Sequence, residues 1–404
     1  MLVKHARAAV FSLFSVASCI EATASYGGEF PKCISRLEQR ALDAGVSVAV
    51  IKETLGSVKE ISRTLELDRK QPEFNETFAN YLNKRVTSFR VSEGQKMLAR
   101  YKPLLDKLTR ETGVPQHYLV AFWGLETNFG GYLGTFPVID TLATLACDER
   151  RSEFFSKEVV AALQLIDTHG LPQEQMLGSW AGAMGQTQFM PSTYLLYGVD
   201  GENDGVVNLW ESIPDAMASA ANFLNHLGWQ RNLRWGREVR LPANFDYLNA
   251  GLKNKKSLRQ WHELGLTTAF GGRLPEEDIE ASLIIPAGHE GPAFLVYDNF
   301  NVIMGWNRSI FYAIAVGHLA DRINGSPALH QVPPDVPRLN VSQIKALQVR
   351  LNELGFNSGK PDGIIGPATG QAIRDYQASH KMIADGYPGQ DVFKALNIEV
   401  NKHP

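Results

Sequence analysis

Four prolines fall within residues 324–339, in the run N-G-S-P-A-L-H-Q-V-P-P-D-V-P-R-L. Proline donates no backbone hydrogen bond and its ring is excluded from a helix interior. The stretch is therefore extended, and it joins two units that must pack separately. A chain of 404 residues, 44% of them hydrophobic, supplies enough apolar side chain for more than one core. The break leaves a long unit before residue 324 and a short one after residue 339.

The long unit reads as mostly helical from residue 27 to about 232. From Ser92 onward, Met97, Leu98, Tyr101, Leu104, Leu105 and Leu108 recur at helical spacing and predict a helix. Pro214 in a first turn and Gly228 as a stop bracket another. Between about 235 and 300 the pattern changes. Segments 237–242, 281–286 and 293–297 are short and β-prone, and 287–292 is turn-like. That predicts a small sheet or hairpin inserted into a helical domain, with helix returning over 309–323. In the short unit Ile344, Leu347, Leu351 and Leu354 keep helical spacing. Turns at Asp362-Gly363 and Gly366-Pro367, and a helix capped by Thr369 that carries Ile373 and Tyr376, complete a three-helix bundle over 340–400. The fold class expected is mainly α, of α+β type.

At the N-terminus Lys4, His5 and Arg7 precede an apolar run over 8–20, and A-T-A follows at 22–24. This is the pattern of an export signal over 1–24, too short to span a bilayer. Val16-Ala17-Ser18-Cys19 also resembles a lipobox, which gives plain cleavage an alternative: an outer-membrane lipid anchor through Cys19. With Cys19 removed or lipidated, Cys33 and Cys147 remain. They are either a disulfide, as an oxidising envelope compartment permits, or two buried thiols. A net charge of −3 gives no global positive field, so nucleic acid is not expected as a partner.

The chemistry concentrates in three segments and a loop. In Y-L-V-A-F-W-G-L-E-T-N-F-G-G, residues 118–131, Pro115 marks the start and Gly130-Gly131 the stop of a helix. Tyr118, Phe122, Leu125 and Phe129 form one stripe, and Glu126 lies just off it near Phe122 and Trp123. Desolvation and the negative end of the helix dipole both favour a protonated carboxyl there, which a general acid needs. A hydrogen-bonded structural Glu accounts for this helix equally well. Segment 178–194, G-S-W-A-G-A-M-G-Q-T-Q-F-M-P-S-T-Y, is rich in small residues, amides and hydroxyls, as a sugar groove requires. Segment 299–312 mixes aromatics with Asn. In the loop 200–211, D-G-E-N-D-G-V-V-N-L-W-E, oxygen donors fall at Asp200, Glu202, Asp204 and Glu211, with the Val206 carbonyl and Asn208 between them and Gly205 at the sharp turn. That order is of calcium-binding type, and an acidic metal-free turn is its alternative.

Taken together, G-L-E-T-N-F-G, L-A-T-L at 142–145, the 178–194 run, V-D-G-E-N-D-G-V-V-N-L-W-E-S and N-F-N-V-I-M-G-W-N-R-S resemble the lytic murein transglycosylase B type family over residues 30–323. The resemblance implies a lysozyme-like helical catalytic domain, over 27–323, acting on peptidoglycan glycan strands in the periplasm. It places the single catalytic role on Glu126, and substrate contacts on Ser179, Gln188, Trp306, Asn307 and Tyr312. Trp306 departs from a Tyr of some members, so it keeps a stacking face and loses a hydroxyl contact. The resemblance further implies that, with this one carboxylate, the C6 hydroxyl of N-acetylmuramic acid, not water, attacks C1 and closes a 1,6-anhydro ring. Asp140 and Glu149 are the other carboxylates weighed, and both read as structural or surface groups. The resemblance includes the 200–211 loop, which implies a structural Ca2+ and no catalytic cofactor. Residues 340–397 resemble a type 1 peptidoglycan-binding domain, whose role is to hold the enzyme on its polymer. Two other readings stand beside this one: a hydrolytic muramidase of the same fold, and a catalytically silent wall-binding protein.

Overall fold

The computed structural model describes residues 29–70 and 76–399. The export signal and Cys19 lie outside the described residues. Among the described residues no helix is long and apolar enough to cross a membrane.

The chain opens with α1 (Glu29–Asp43), α2 (Val48–Leu55) and α3 (Ser62–Lys70), then α4 (Phe78–Arg85), α5 (Ser88–Arg100) and α6 (Lys102–Thr112). The single helix expected from Ser92 is two helices, broken at Tyr101 (φ −103°, ψ 18°). The cause is Pro103, whose ring excludes the carbonyl four residues back and resets the hydrogen-bond ladder. Next comes α7 (Gln116–Thr127), buried on every side from Tyr118 to Gly124. The stripe expected along it is therefore a fully apolar cylinder, as a helix at the centre of a core must be. It also stops before Gly130: Asn128 (φ 53°) and Phe129 (φ 60°) take left-handed conformations and turn the chain.

After β1 (Phe136–Pro137) come α8 (Val138–Ala146), α9 (Ser152–His169), β2 (Leu177–Gly178), α10 (Pro191–Tyr197) and α11 (Ile213–His226), the last with Pro214 in its first turn as expected. Cys33 of α1 and Cys147 at the end of α8 form a disulfide, Cα atoms 5.7 Å apart. The insert then supplies β3 (Gly236–Arg240), β4 (Lys255–Ser257), α12 (Leu258–Glu263), β5 (Thr267–Thr268), β6 (Glu280–Ile284) and β7 (Ala293–Val296). They form an antiparallel sheet in the order β4-β6-β7-β3-β5, with Ser282 opposite Val296 and Glu238 opposite Phe294. The β6–β7 hairpin is the one the turn-like residues predict. The short edge strands β4 and β5 carry no period-2 pattern that sequence could reveal. β7 leads directly into α13 (Asp298–Trp306) and α14 (Ile310–Ile323), so the sheet sets where Trp306 falls.

Two apolar cores fill the helical region. One gathers α7, α11 and α14 around Phe122, Phe300 and Ile314. The other gathers α1, α8 and α9 around Leu37, Leu142, Leu163 and Phe189. Trp306 packs against both. The last unit, α15 (Val341–Glu353), α16 (Pro367–Ser379) and α17 (Gln390–Ala395), closes on Leu347, Ile373 and Phe393. Gly366, not Thr369, is the N-cap of α16. Thr369 is instead buried and accepts from Gln348 Nε2 at 3.1 Å.

Segment 324–339 is extended, yet it is fastened. The Glu238 carboxylate of β3 accepts the backbone N–H groups of His330 and Gln331 at 2.8 and 2.7 Å. Gln331 Nε2 donates to the Glu290 carbonyl at 2.7 Å. From the bundle, buried Asp385 receives both the backbone N–H and the Nδ1 of His289, at 3.0 and 2.7 Å. The bundle thus sits against the β6–β7 hairpin.

Candidate active site

Glu126 occupies the last turn of α7, half-buried at the seam between the two cores. Its Oε1 accepts the Trp306 indole N–H at 3.0 Å and the Tyr312 hydroxyl. Trp306 comes from the end of α13 and Tyr312 from the first turn of α14, whose N-cap Ser309 fixes the start of that helix. The Trp306 ring is wedged among Phe122, Phe189 and Phe223, with centroids 4.4, 5.2 and 5.3 Å away. Tyr312 is only 6% exposed. Burial first, then the adjacent Glu126 charge, pushes its phenol well above the ordinary value, so it stays a donor. Tyr312, expected on the substrate, is therefore behind the carboxylate and grips it. Asn307 is exposed, and its Oδ1 accepts the Ser309 N–H at 3.1 Å.

Across the seam, residues 178–190 form a compact turn on the second core. Ser179 is half-buried and its Oγ accepts the Ala183 N–H at 3.0 Å. Gln188 takes a left-handed backbone (φ 49°), and its Nε2 donates to the carbonyls of Leu133 and Gly185, both at 3.1 Å. Gly134 (φ 93°) passes so close that a Cβ would lie 2.1 Å from the Gly178 carbonyl, so no larger residue fits between the two segments.

Gln186, which sequence reading passed over in favour of Gln188, ties the turn to α7. It is 7% exposed. Its Oε1 accepts Trp123 Nε1 at 2.8 Å, its Nε2 donates to the Trp210 carbonyl at 2.8 Å, and its carbonyl accepts the Thr127 hydroxyl at 2.9 Å. Both amides stand in one G-Q-T-Q run, and no local signal separates buried Gln186 from half-buried Gln188. Asp140 Oδ1 accepts the Lys59 backbone N–H at 2.7 Å, and Glu149 is exposed. Neither has a contact with Glu126 among those described.

The 200–211 loop is closed by its own amides. Asp200 accepts the N–H groups of Asn203 and Gly205 at 2.6 and 2.8 Å, Asp204 that of Val206 at 2.9 Å, and Asn208 those of Trp210 and Glu211 at 3.0 Å. The bond from Gly205 leads those that hold the Asp200 carboxyl below its ordinary range. Gly205 takes φ 91°, which the sharp turn requires. Glu202, Asp204, Val206 and Glu211 are exposed. The oxygen-only donor set suits calcium chemically. Among the described residues no three His, Cys, Asp or Glu side chains converge as metal ligands, so a cation here would also draw on backbone carbonyl and amide oxygens. The residue that braces the loop was missed. Asp215, 1% exposed, accepts Gly201 N–H at 2.8 Å and Asn208 N–H at 2.7 Å. Ser212-Ile213-Pro214-Asp215 carries a helix-capping spacing, which was the signal available.

A single carboxylate gripped by two donors, set between a core helix and a polar turn, defines an enzyme of glycan-cleaving type. The comparisons narrow the class. Residues 29–321 match the family described as Transglycosylase SLT domain, and 340–396 match Putative peptidoglycan binding domain. The chain therefore belongs to the SLT transglycosylase family and is a lytic transglycosylase with a C-terminal peptidoglycan-binding domain. It is 31% identical over 317 residues to membrane-bound lytic murein transglycosylase B of Escherichia coli (strain K12), spanning 74% of this chain and 84% of that one. SltB3 from Pseudomonas aeruginosa in complex with NAG-anhNAM-pentapeptide superposes with a TM-score of 0.87 at 41% identity, covering 91% of this chain and 99% of that one. The Escherichia coli Slt35 structure in complex with calcium gives a TM-score of 0.64 at 30% identity, covering 72% and 92%.

Proposed function

We propose that Glu126 is both acid and base in a non-hydrolytic cleavage of the β-1,4 bond between N-acetylmuramic acid and N-acetylglucosamine in peptidoglycan. The observation that carries this reading is the convergence of Trp306 and Tyr312 on Oε1. Glu126 gives its proton to the glycosidic oxygen, and the C1–O bond breaks with N-acetylglucosamine leaving as the alcohol. The carboxylate then takes the proton of the C6 hydroxyl as that oxygen attacks C1. The 1,6-anhydro ring closes, Glu126 is protonated again, and no water is consumed. A hydrolase of two-carboxylate type needs a second acid group beside the bond. Asp140, one of the alternatives weighed, accepts the Lys59 amide. SltB3 has been solved in complex with NAG-anhNAM-pentapeptide, and a relative that binds an anhydro sugar supports the same outcome here. Ser179, Gln188 and Asn307 line the groove as hydrogen-bonding groups for the sugars. Mass analysis of muropeptides released from purified murein tests the reaction. Anhydro ends are expected, and reducing ends would make the enzyme a muramidase.

The protein acts in the periplasm after export, and the bundle keeps it on its polymer. Mass spectrometry of the mature N-terminus separates cleavage after residue 24 from a lipid anchor at Cys19. The 200–211 loop takes Ca2+ as a structural ion, supported by its oxygen donors and the Gly205 turn, with Asp200, Glu202, Asp204, Glu211 and the Val206 carbonyl as ligands.

A further inference from the structure

We propose that Trp306 is a positioning residue for Glu126: its indole N–H, acting with the Tyr312 hydroxyl on Oε1, confines the reactive proton to Oε2. The inference rests on Glu126 being the acid. Two donors from two different helices meet one carboxylate oxygen. An indole N–H donates and never accepts. Tyr312 is buried beside the carboxylate, and Tyr81 and Arg85 are the other titratable groups whose charges act on it. An oxygen that accepts two such bonds is the carbonyl oxygen of the acid form. A proton placed on it would oppose both donors, so the proton resides on Oε2 before cleavage and returns there when the C6 hydroxyl is deprotonated.

The packing of Trp306 favours this role over that of a sugar platform. Three aromatic rings crowd its indole, one from α7, one from the turn and one from α11. They hold the N–H in register with Oε1, at a point where the ring contacts both cores.

The test uses the full chain and uncrosslinked glycan strands as substrate. Trp306→Phe keeps an aromatic ring and removes the donor. Benzothienylalanine at the same position keeps the bicyclic shape, with sulfur in place of N–H, and controls for packing. Loss of a hydrogen bond to a charged group predicts a fall in kcat of about tenfold, with KM within about twofold of the parent. A lost donor also raises the pKa of the acid, so the alkaline limb of kcat/KM moves up by about one pH unit. The melting temperature of the isosteric variant stays at the parent value. A rise in KM with kcat and the limb unmoved would make Trp306 a sugar platform and overturn the inference, as would two variants kinetically identical to the parent. The underlying assignment fails separately: a Glu126→Gln enzyme that still cleaves removes the acid, whatever Trp306 does.

Discussion

Two carboxylates, Glu126 at the seam and Asp215 beneath the 200–211 loop, are held in opposite ways. Asp215 is sealed from water and its oxygens are taken by backbone N–H groups of Gly201 and Asn208, which cannot move without unfolding the loop. Glu126 is half-buried, and two side chains converge on its Oε1. Backbone donors tie a carboxylate to the path of the chain, so its position changes only when the loop moves. Side-chain donors orient a carboxylate without tying it to the backbone, the arrangement that the acid-and-base role proposed for Glu126 calls for. The difference separates a carboxylate that builds the fold from one that uses it.

The contrast predicts effects that part along activity and stability. Glu126→Gln removes the exchangeable proton and should lower murein cleavage by about a thousandfold or more, with wall binding and melting temperature kept. Turnover by this variant would collapse the distinction. Asp215→Ala should do the reverse. Two buried N–H groups lose their acceptor, for a loss of about 3 kcal/mol in denaturant unfolding. Activity per folded molecule should fall far less.

Acid should loosen α14 before the loop. Burial, then Arg322, holds His318 of α14 down at about 4, while an unfolded histidine titrates near ~6.5. Between those values the unfolded chain binds a proton that the fold refuses. Stability is therefore full above the unfolded value and declines as pH falls toward the folded one, by about 2–3 kcal/mol. His318→Gln should flatten thermal melts across that window. Asp200, whose folded pKa is depressed, contributes stability above the unfolded carboxyl pKa and loses it only as pH falls through the lower folded value. The smallest effect is that of Ca2+. At ten times its Kd it should add about 1.4 kcal/mol in a thermal melt, and chelation should reverse it. A melt indifferent to both would leave Asp215 and the loop's own amide bonds as its braces.

Much of this was legible in the sequence, and the rest was hidden for physical reasons. Glu126 stood out because one charged residue in a long apolar stretch is a local signal. The helix around it misled, because a segment apolar on every side has no stripe to read, and Asn128 ends it by backbone conformation without a glycine. The β6–β7 hairpin was legible from its turn, whereas β4 and β5 exist only through pairing with distant strands. Gln186 bonds across 63 residues to Trp123 and 24 to Trp210, and no spacing rule reaches that far. Tyr312 and Trp306 were found through a resemblance that assigned them to sugar. Only the assembled seam turns them toward the carboxylate.

A segment of 324–339 left loose, extended at about 3.1 Å per residue, would let the bundle sweep a cloud of up to about 50 Å. Glu238, Glu290 and the His289–Asp385 pair reduce that cloud to one offset. The enzyme then behaves as a caliper and not as a hook on a string. A polymer seated in both units would meet two jaws at a set spacing, and the second jaw would engage at little further cost in tether entropy.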